Sequence, residues 1–554
     1  MAPEAVTLDH PAIGSIKGKL FSPTVEEYLG IQYATLADRF ARGKLVETYP
    51  SSVDATSHGP LPVANPQNCD IEQLLLQHAL PHAAYTFSDL ECLTLNVSAP
   101  NASVRAKAGK PLPVLVYVHG GGYVTGSANW PQWELNRLVE LSVREGEPIV
   151  AVGINYRLGP FGFMTSEVMR QAGYKPNNGL DDQKLGFQWV RKHIAGFGGD
   201  PHALTFFGCS IGAASGFVHL QSPQPLFNRL AAWGGSGLMQ PLPLGVAEVG
   251  YGMVTKALGL DSLSPEEQVK ALVRIPSDEF EAKTRDVHAP YMAWVDGDVV
   301  HTVPTFSGIA TPDRLKKTLP GSEWCDRVWM GSCAQDGMIF LITALGGRTN
   351  DLAAALKRCI TTTLSGHADL VPRLISLYGL DTASTPEEKS LAIANFSTDI
   401  GFSQAAIASA AAWSSNSSTD GKKAVLSHLT APNPWEGAWK GHATHGQDAA
   451  FVLQNFNEHL GPGQRKVAER MGRELVDFVV GKEGLPWVKS EEGGGREVVY
   501  HAAVNGDKDE SAVVSSSEAA GRLERRRELE EIVGGRAEVL DRLMDALGML
   551  LSGR

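Results

Sequence analysis

The chain has 554 residues, of which 43% are hydrophobic and 20% charged, and its formal net charge is −12. This composition is typical of a globular protein with a large apolar core. An acidic chain without a long basic stretch lacks the surface that nucleic-acid-binding proteins need, and no segment reaches the roughly 18 apolar residues of a membrane span. We therefore expect no nucleic-acid partner and no transmembrane segment.

The N-terminal residues give an expectation about location. The first twenty, MAPEAVTLDHPAIGSIKGKL, contain no apolar core behind a basic end, so the sequence predicts no signal peptide. Six cysteines in a chain of this length are too few for a disulfide scaffold. The expected location is cytoplasmic, where thiols stay reduced.

Short apolar runs that end in glycine-rich turns predict the strands of a parallel sheet. The runs are PVLVYV (113–118), PIVAVGINY (148–156), LTFFG (204–208) and RVWMGS (327–332). Near-continuous apolar strands are typical of parallel strands that are buried on both faces. Helical patterns lie between them, such as DDQKLGFQWVRKHI at 181–194. This alternation predicts the α/β class, with a mostly parallel central sheet flanked by helices.

The second half of the chain predicts additions to that sheet. Residues 345–430 have mostly helical patterns and no strong strand, which indicates a helical insertion. Gly, Ser and charged residues over about 490–521 predict a flexible segment. Apolar residues at helical spacing predict C-terminal helices over 522–552, which include the basic run Arg525-Arg526-Arg527. We expect one large domain over residues 1–554.

The stretch FFGCSIGAASG, at 206–216, places two potential nucleophiles side by side, Cys209 and Ser210. The pattern G-x-S-x-G directly after a strand is typical of a nucleophile elbow, in which the strand turns sharply into a helix. Gly208 and Gly212 are needed because a side chain there would clash with the turn. The middle residue alone faces the cleft, so the pattern predicts Ser210 as the nucleophile. Cys209 is expected to point into the core, where free cysteines are commonly found.

The segment HGGGY, at 119–123, follows the first apolar run. Consecutive glycine N–H groups are suited to an oxyanion hole, because glycine lets the backbone approach a substrate closely. The alternative, a phosphate-binding loop, is disfavoured because no Gly-Lys-Ser/Thr follows. No metal motif of the type H-E-x-x-H is present, so we predict neither a metal nor a cofactor.

Ordered motifs extend over about residues 10–490. They are EEYLGIQYA (26–34), ECLTLNV (91–97), VYVHGGGYVTGS (116–127), NYRLGPFGF (155–163), the long block from 177 to 216, WVDGD (294–298) and HGQDAAFVL (445–453). Together they resemble the type-B carboxylesterases, the cholinesterase and fungal lipase branch of the α/β-hydrolases. The resemblance implies the α/β-hydrolase fold with helical insertions, no cofactor, and a triad in the chain order serine, carboxylate, histidine.

The resemblance assigns each member of this triad. Ser210 takes the first position. The family has a glutamate before a glycine after a strand, and this chain has Asp336 before a glycine in CAQDGMIF. His445 in THGQDAAFV matches the family's histidine. His442 is the competing histidine, but its spacing to DAAFV fits badly.

The resemblance also implies the oxyanion donors, which are the N–H groups of Gly121, Gly122 and Ile211. The family usually has alanine in place of Ile211 and glutamate in place of Cys209. Ile211 is expected to narrow the pocket beside the nucleophile. Cys209 cannot replace the buried charge of the family's glutamate.

A disulfide is also implied by the resemblance. The family commonly closes the loop that matches residues 69–92 with a disulfide, and its lipases use this loop as a lid. Cys69 and Cys92 are therefore expected to lie within bonding distance, and the loop is expected to flank the mouth of the active site.

These observations predict a serine hydrolase that cleaves small-molecule carboxylic esters through an acyl-enzyme intermediate. One alternative is a lipase of the same branch. Another is an acyltransferase or cyclase acting on a secondary metabolite, which the unusual Cys209 and Ile211 permit. The last is an inactive binding module, and the presence of Ser210, Asp336 and His445 argues against it.

Overall fold

The computed structural model describes residues 4–239, 241–348, 351–415, 422–488, 496–503, 506–515, 518–519 and 524–553. In these ranges the strands are β1 (Ala5–His10), β2 (Gly14–Ser22), β3 (Val25–Gln32), β4 (Ala34–Thr35), β5 (Lys44–Leu45), β6 (Ser52–Asp54), β7 (Thr94–Pro100), β8 (Leu112–Val118), β9 (Val150–Ile154), β10 (Gly199–Cys209), β11 (Arg229–Trp233), β12 (Leu242–Pro243), β13 (Trp294–Val295), β14 (Arg327–Cys333), β15 (Lys423–Leu429), β16 (Arg496–Tyr500) and β17 (Ala512–Ser515).

The α-helices surround the strands. They are Asn68–Leu76, Ala102–Ala108, Asn136–Arg144, Gly159–Phe163, Glu167–Gln171, Asn178–His193, Ile211–His219, Ala247–Ala257, Pro265–Arg274, Ser277–Thr284, Phe306–Ile309, Pro312–Thr318, Met338–Ile342, Leu352–Thr363, Val371–Leu377, Pro386–Ser397, Gln404–Ser415, Gln447–Val452, Pro462–Val480, Glu524–Val533 and Ala537–Ser552. A π-helical turn spans Thr398–Ser403. In the described ranges, no helix has both the length and the apolar character needed to cross a membrane.

One large mixed sheet organises the fold. Its strand order is β1-β2-β3-β7-β9-β8-β10-β11-β14-β15-β16-β17, and β6 pairs with β2. The seven adjacent strands β9-β8-β10-β11-β14-β15-β16 are parallel to one another, and the strands on either side of this group pair antiparallel. In β8, Val114, Val116 and Val118 enter one core cluster, whereas Leu115 and Tyr117 enter the other. Apolar cores therefore cover both faces of the sheet, and the predicted mostly parallel sheet flanked by helices is confirmed.

The helical insertion is shorter than the predicted 345–430. Helices occupy Leu352 to Ser415, but Lys423–Leu429 forms β15 inside the central sheet. Two polar side chains made this strand hard to recognise from the sequence. Ser427 Oγ accepts a hydrogen bond from Trp329 Nε1 at 2.8 Å, and the imidazole of His428 lies 2.8 Å from Ser332 Oγ. Because both groups are satisfied by the neighbouring strand, they are compatible with a buried position.

The flexible segment expected over about 490–521 contains two strands. β16 pairs with β15 and β17 pairs with β16, so both extend the main sheet. A charged residue, Glu497, made β16 hard to recognise from the sequence. In the structure Glu497 is only 1% exposed and accepts two hydrogen bonds from Arg526, which make its burial possible. Residues 490–495, 504–505, 516–517 and 520–521 of the expected segment lie outside the described ranges.

The implied disulfide is not found, because Cys69 and Cys92 are both free and buried. Cys69 belongs to the core cluster on one face of the sheet and Cys92 to the cluster on the other. The thiol of Cys69 accepts a hydrogen bond from Gln73 at 3.4 Å. Burial raises the pKa of both thiols, to about 11 for Cys69 and about 12 for Cys92. The sheet itself therefore separates the two sulfurs.

Candidate active site

Ser210 occupies a sharp turn between β10 and the helix Ile211–His219. Its backbone has φ 57° and ψ −127°, a conformation that non-glycine residues rarely adopt and that is often found at functional sites. Ser210 N donates to Trp233 O at 2.9 Å, and Ala213 N donates to Ser210 O at 2.9 Å. These hydrogen bonds hold the turn, as expected for a nucleophile elbow.

Glycine is required on both sides of this turn. A Cβ atom on Gly212 would overlap Val118 O, and one on Gly208 would overlap the backbone of Gly212. The helix after Ser210 therefore packs closely against the end of β8, which precedes the HGGGY loop. This contact brings the predicted nucleophile and the predicted oxyanion loop together.

We expect Gly212→Ala to destabilise the protein by about 1–3 kcal/mol, because the new methyl group meets backbone that cannot rotate away. Gly366→Ala is the matched control, since a Cβ atom there has no neighbour within 4 Å. Urea denaturation of both variants measures the effect. Equal unfolding midpoints would contradict the close approach at Gly212.

The imidazole of His445 lies between Ser210 and Asp336. His445 Nε2 is 2.9 Å from Ser210 Oγ, and His445 Nδ1 is 2.7 Å from Asp336 Oδ1. Asp336 Oδ2 accepts a hydrogen bond from Cys333 N at 2.6 Å, so both carboxylate oxygens are engaged. Asp336 is fully buried and His445 is 9% exposed. The fold therefore brings the three predicted triad residues into one hydrogen-bonded chain.

The two competing residues lie elsewhere. His442 is partly exposed, and its ring lies 6.1 Å from that of Trp439. Cys209 is 3% exposed and belongs to the core cluster that contains Tyr117. Burial, reinforced by the nearby Asp448, raises the pKa of the Cys209 thiol well above its ordinary value. A neutral, buried thiol is a poor nucleophile.

The HGGGY loop passes beside Ser210. A Cβ atom on Gly120 would lie 2.9 Å from Ser210 Cβ. Gly121 and Gly122 have φ values of 100° and 62°, which favour glycine. Ile211 is the first residue of the helix after Ser210, and N–H groups in a first helical turn have no partner within their own helix. The loop that carries Gly121 and Gly122 and the helix start at Ile211 therefore both lie beside Ser210, and their role as oxyanion donors stays a prediction.

Two acidic residues near the site were not singled out in the sequence. Asp448 lies three positions after His445, and its pKa is raised to about 7 by burial and by the charge of Asp336. Glu72 lies on the helix Asn68–Leu76 and accepts a hydrogen bond from Trp133 Nε1 at 2.5 Å. Burial raises the pKa of Glu72 to about 7. Hydrogen bonds from Trp133 and Gln132 and the charge of His445 lower it, but by less. A carboxyl group in the apolar sequence IEQLLL was the available signal for Glu72.

Metal-ligating side chains do not cluster in the residues that the structure describes. In the described part of the chain, no group of three or more His, Cys, Asp and Glu side chains is placed to hold a metal ion. The chemistry available at the site is that of a hydroxyl group, an imidazole, a carboxylate and backbone N–H groups.

Comparison with known proteins gives a family match and partial alignments. The model of a family described as the carboxylesterase family matches residues 3–493. "Secreted lipase 5" of Gibberella zeae is 34% identical over 199 residues, which are 35% of this chain and 36% of that protein. "Para-nitrobenzyl esterase" of Bacillus subtilis is 35% identical over 38% of this chain and 40% of its own length. Each of these two alignments therefore spans two fifths or less of the relative's own length.

Solved structures support the fold. A structure titled "PNB esterase" aligns with a TM-score of 0.67, covering 94% of this chain and 99% of its own, at 21% identity. This likeness confirms the predicted α/β-hydrolase fold.

The predicted cytoplasmic location is wrong by the sequence comparison, because two matched relatives, from Gibberella zeae and Arthroderma benhamiae, are named as secreted lipases. A reading of the first twenty residues alone was too weak a basis for that prediction.

Proposed function

Because the chain belongs to the carboxylesterase family, we propose that it hydrolyses carboxylic esters through an acyl-enzyme on Ser210. The observation that carries the proposal is the hydrogen-bonded chain Ser210–His445–Asp336, with distances of 2.9 Å and 2.7 Å. A serine hydroxyl needs such a base to become a nucleophile, and the base needs a carboxylate to fix its tautomer.

In the first half-reaction, Ser210 Oγ attacks the ester carbonyl carbon while His445 Nε2 takes the hydroxyl proton. Gly121, Gly122 and Ile211 donate their N–H groups to the oxygen that becomes negative. The tetrahedral intermediate then expels the alcohol, which leaves with the proton held by His445. Such preorganised donors commonly supply the largest single contribution to catalysis of acyl transfer.

In the second half-reaction, water attacks the acyl-enzyme and gives a proton to His445. That proton returns to Ser210 Oγ as the carboxylic acid leaves. Asp336 keeps the proton of His445 on Nδ1 and stabilises the imidazolium that forms in each step.

A lipase is the second candidate. Its support is that matched relatives from Diutina rugosa are named "Lipase 2" and "Lipase 5", and that the helix Asn68–Leu76 carries two exposed apolar side chains. These are Ile71 and Leu74, which are 44% and 72% exposed. Both candidates use the same residues and differ in the length of the preferred acyl group.

The test is a panel of esters with graded acyl lengths, assayed with the wild-type protein and Ser210→Ala. We expect acid and alcohol in equal amounts and no turnover by the variant. A maximum at short acyl groups indicates an esterase, and a maximum at long emulsified esters indicates a lipase. Transfer of the acyl group to an added alcohol without release of acid would contradict hydrolysis.

A further inference from the structure

A π-helical turn, Thr398–Ser403, contacts both the carboxylate segment and the imidazole of the candidate triad. The ring of Phe402 lies 5.3 Å from that of His445, measured between centroids. Thr398 Oγ1 accepts a hydrogen bond of 2.8 Å from Gly337 N, directly after Asp336. Turns of this type are rare and are frequently found at functional sites. The π-helical turn therefore supports Asp336 and His445 together.

A buried carboxylate within the turn is held by an arginine from the C-terminal helices. Asp399 is 4% exposed. Its two oxygens accept hydrogen bonds from Arg525 Nε at 2.6 Å and Arg525 Nη2 at 2.9 Å. Tyr378 OH donates a further bond of 3.2 Å. A bidentate arginine–carboxylate pair fixes orientation as well as distance, so Arg525 determines where the turn lies.

The last helix contacts the same turn. A Cβ atom on Gly401 would lie 3.2 Å from Leu547 Cδ2, so the absence of a side chain at Gly401 lets the helix Ala537–Ser552 approach. Both C-terminal helices follow residue 493, where the family match ends. A segment beyond the matched region thus contacts the part of the chain that supports the candidate triad.

The basic run places its three arginines in different surroundings. Arg525 binds Asp399, and Arg526 binds the buried Glu497 at 2.6 Å. The side chain of Arg527 is 57% exposed and lies 3.9 Å from Glu531, a pair that contributes little in water. The run therefore consists of a partly exposed anchor, Arg525, a buried anchor, Arg526, and a solvent-exposed residue, Arg527. Arg527 is a matched control for Arg525.

We propose that Arg525 is a positioning residue for Asp336 and His445, acting through Asp399 and the π-helical turn. This inference rests on the proposed function of that pair. Removing Arg525 leaves the carboxylate of Asp399 buried with one of its three donors, which is unfavourable. The turn then shifts to reach water, and the contacts of Thr398 and Phe402 shift with it. A displacement of about 1 Å at a catalytic group costs about a hundredfold in rate.

The test compares Arg525→Ala, Arg525→Lys and Arg527→Ala in steady-state ester hydrolysis. We expect kcat to fall by about ten- to a hundredfold in Arg525→Ala with KM unchanged. Arg525→Lys is expected to recover part of kcat, because it restores the charge but not the bidentate geometry. Arg527→Ala is expected to behave as the wild type. Equal losses in Arg525→Ala and Arg527→Ala would overturn the proposal.

Asp399→Asn tests the route. If Arg525 acts through Asp399, the double variant Arg525→Ala, Asp399→Asn is no slower than the slower single variant. Multiplied losses would overturn the route. If Arg525→Ala does not fold, Asp399→Asn alone tests the proposal, because the amide retains an oxygen for Tyr378. We expect its kcat to fall with KM unchanged, and a wild-type kcat would overturn the proposal.

A proton NMR spectrum gives a readout that does not depend on turnover. The Nδ1 proton of His445, which lies between the imidazole and Asp336 Oδ1, is expected to resonate far downfield. We expect this resonance to shift in Arg525→Ala and to stay in place in Arg527→Ala. An unchanged resonance in a folded Arg525→Ala with wild-type kcat would overturn the proposal. Failure of the proposed function is distinguishable, because Ser210→Ala would then retain turnover whatever Arg525→Ala does.

Discussion

Ser210→Ala is expected to abolish ester turnover and labelling by an organophosphonate probe. Loss of the nucleophile of a serine triad lowers kcat by several orders of magnitude, about a millionfold in the best-studied case. The structure gives the reason here, since Ser210 Oγ is the atom that lies 2.9 Å from His445 Nε2. Labelling followed by mass spectrometry of the modified peptide measures the result directly.

Cys209→Ala is the matched control, because it changes the neighbouring residue in the same peptide. We expect it to keep both turnover and labelling, since the Cys209 thiol is buried and its pKa is raised well above the ordinary value. Labelling that disappears with Cys209 and survives in Ser210→Ala would reverse the assignment of the nucleophile.

Asp336→Asn is expected to leave a folded protein with kcat reduced by about 10⁴-fold. Cys333 N donates to Asp336 Oδ2, so the amide of an asparagine turns its oxygen toward Cys333 and its NH₂ group toward His445. An NH₂ group facing Nδ1 stabilises the tautomer that carries its proton on Nε2. That tautomer cannot accept the proton of Ser210.

The control for Asp336→Asn is Asp326→Asn. Asp326 comes just before the strand that Asp336 follows, and its side chain is 59% exposed. We expect wild-type turnover from this variant and circular dichroism spectra that agree for all three proteins. Turnover near the wild-type value in Asp336→Asn would mean that another carboxylate, with Asp448 the nearest choice, orients His445.

The sequence predicted the parts of the site that local chain geometry determines. A strand, two glycines and a serine specify the elbow at Ser210 because the clash that excludes larger residues arises within a few positions. The same holds for the positive φ values at Gly121 and Gly122. Asp336 and His445 were predicted through a family resemblance, since no local pattern shows which carboxylate faces which imidazole.

The features that the sequence left out depend on contacts between distant segments. Glu72 lies beside Trp133 only because the helix Asn68–Leu76 packs there. The polar residues of β15 and the glutamate of β16 interrupt the apolar pattern by which a buried strand is recognised in a sequence. Their hydrogen bonds to neighbouring strands and to Arg526 are visible only in the folded protein. The disulfide implied for Cys69 and Cys92 was wrong for the same reason, since only the folded structure shows that the sheet lies between the two sulfurs.

The candidate triad brings together residues that are far apart in the chain: Ser210 and His445 are separated by 235 positions, and Asp336 and His445 by 109. A chain emerging from the ribosome presents its nucleophile long before its base has been synthesised. The incomplete protein therefore lacks the base that the proposed acylation of Ser210 by an ester needs. The proposed triad assembles only after β14 and β15, which precede Asp336 and His445, have joined the sheet. Under the proposed function, ester turnover therefore reports that these two strands are in place.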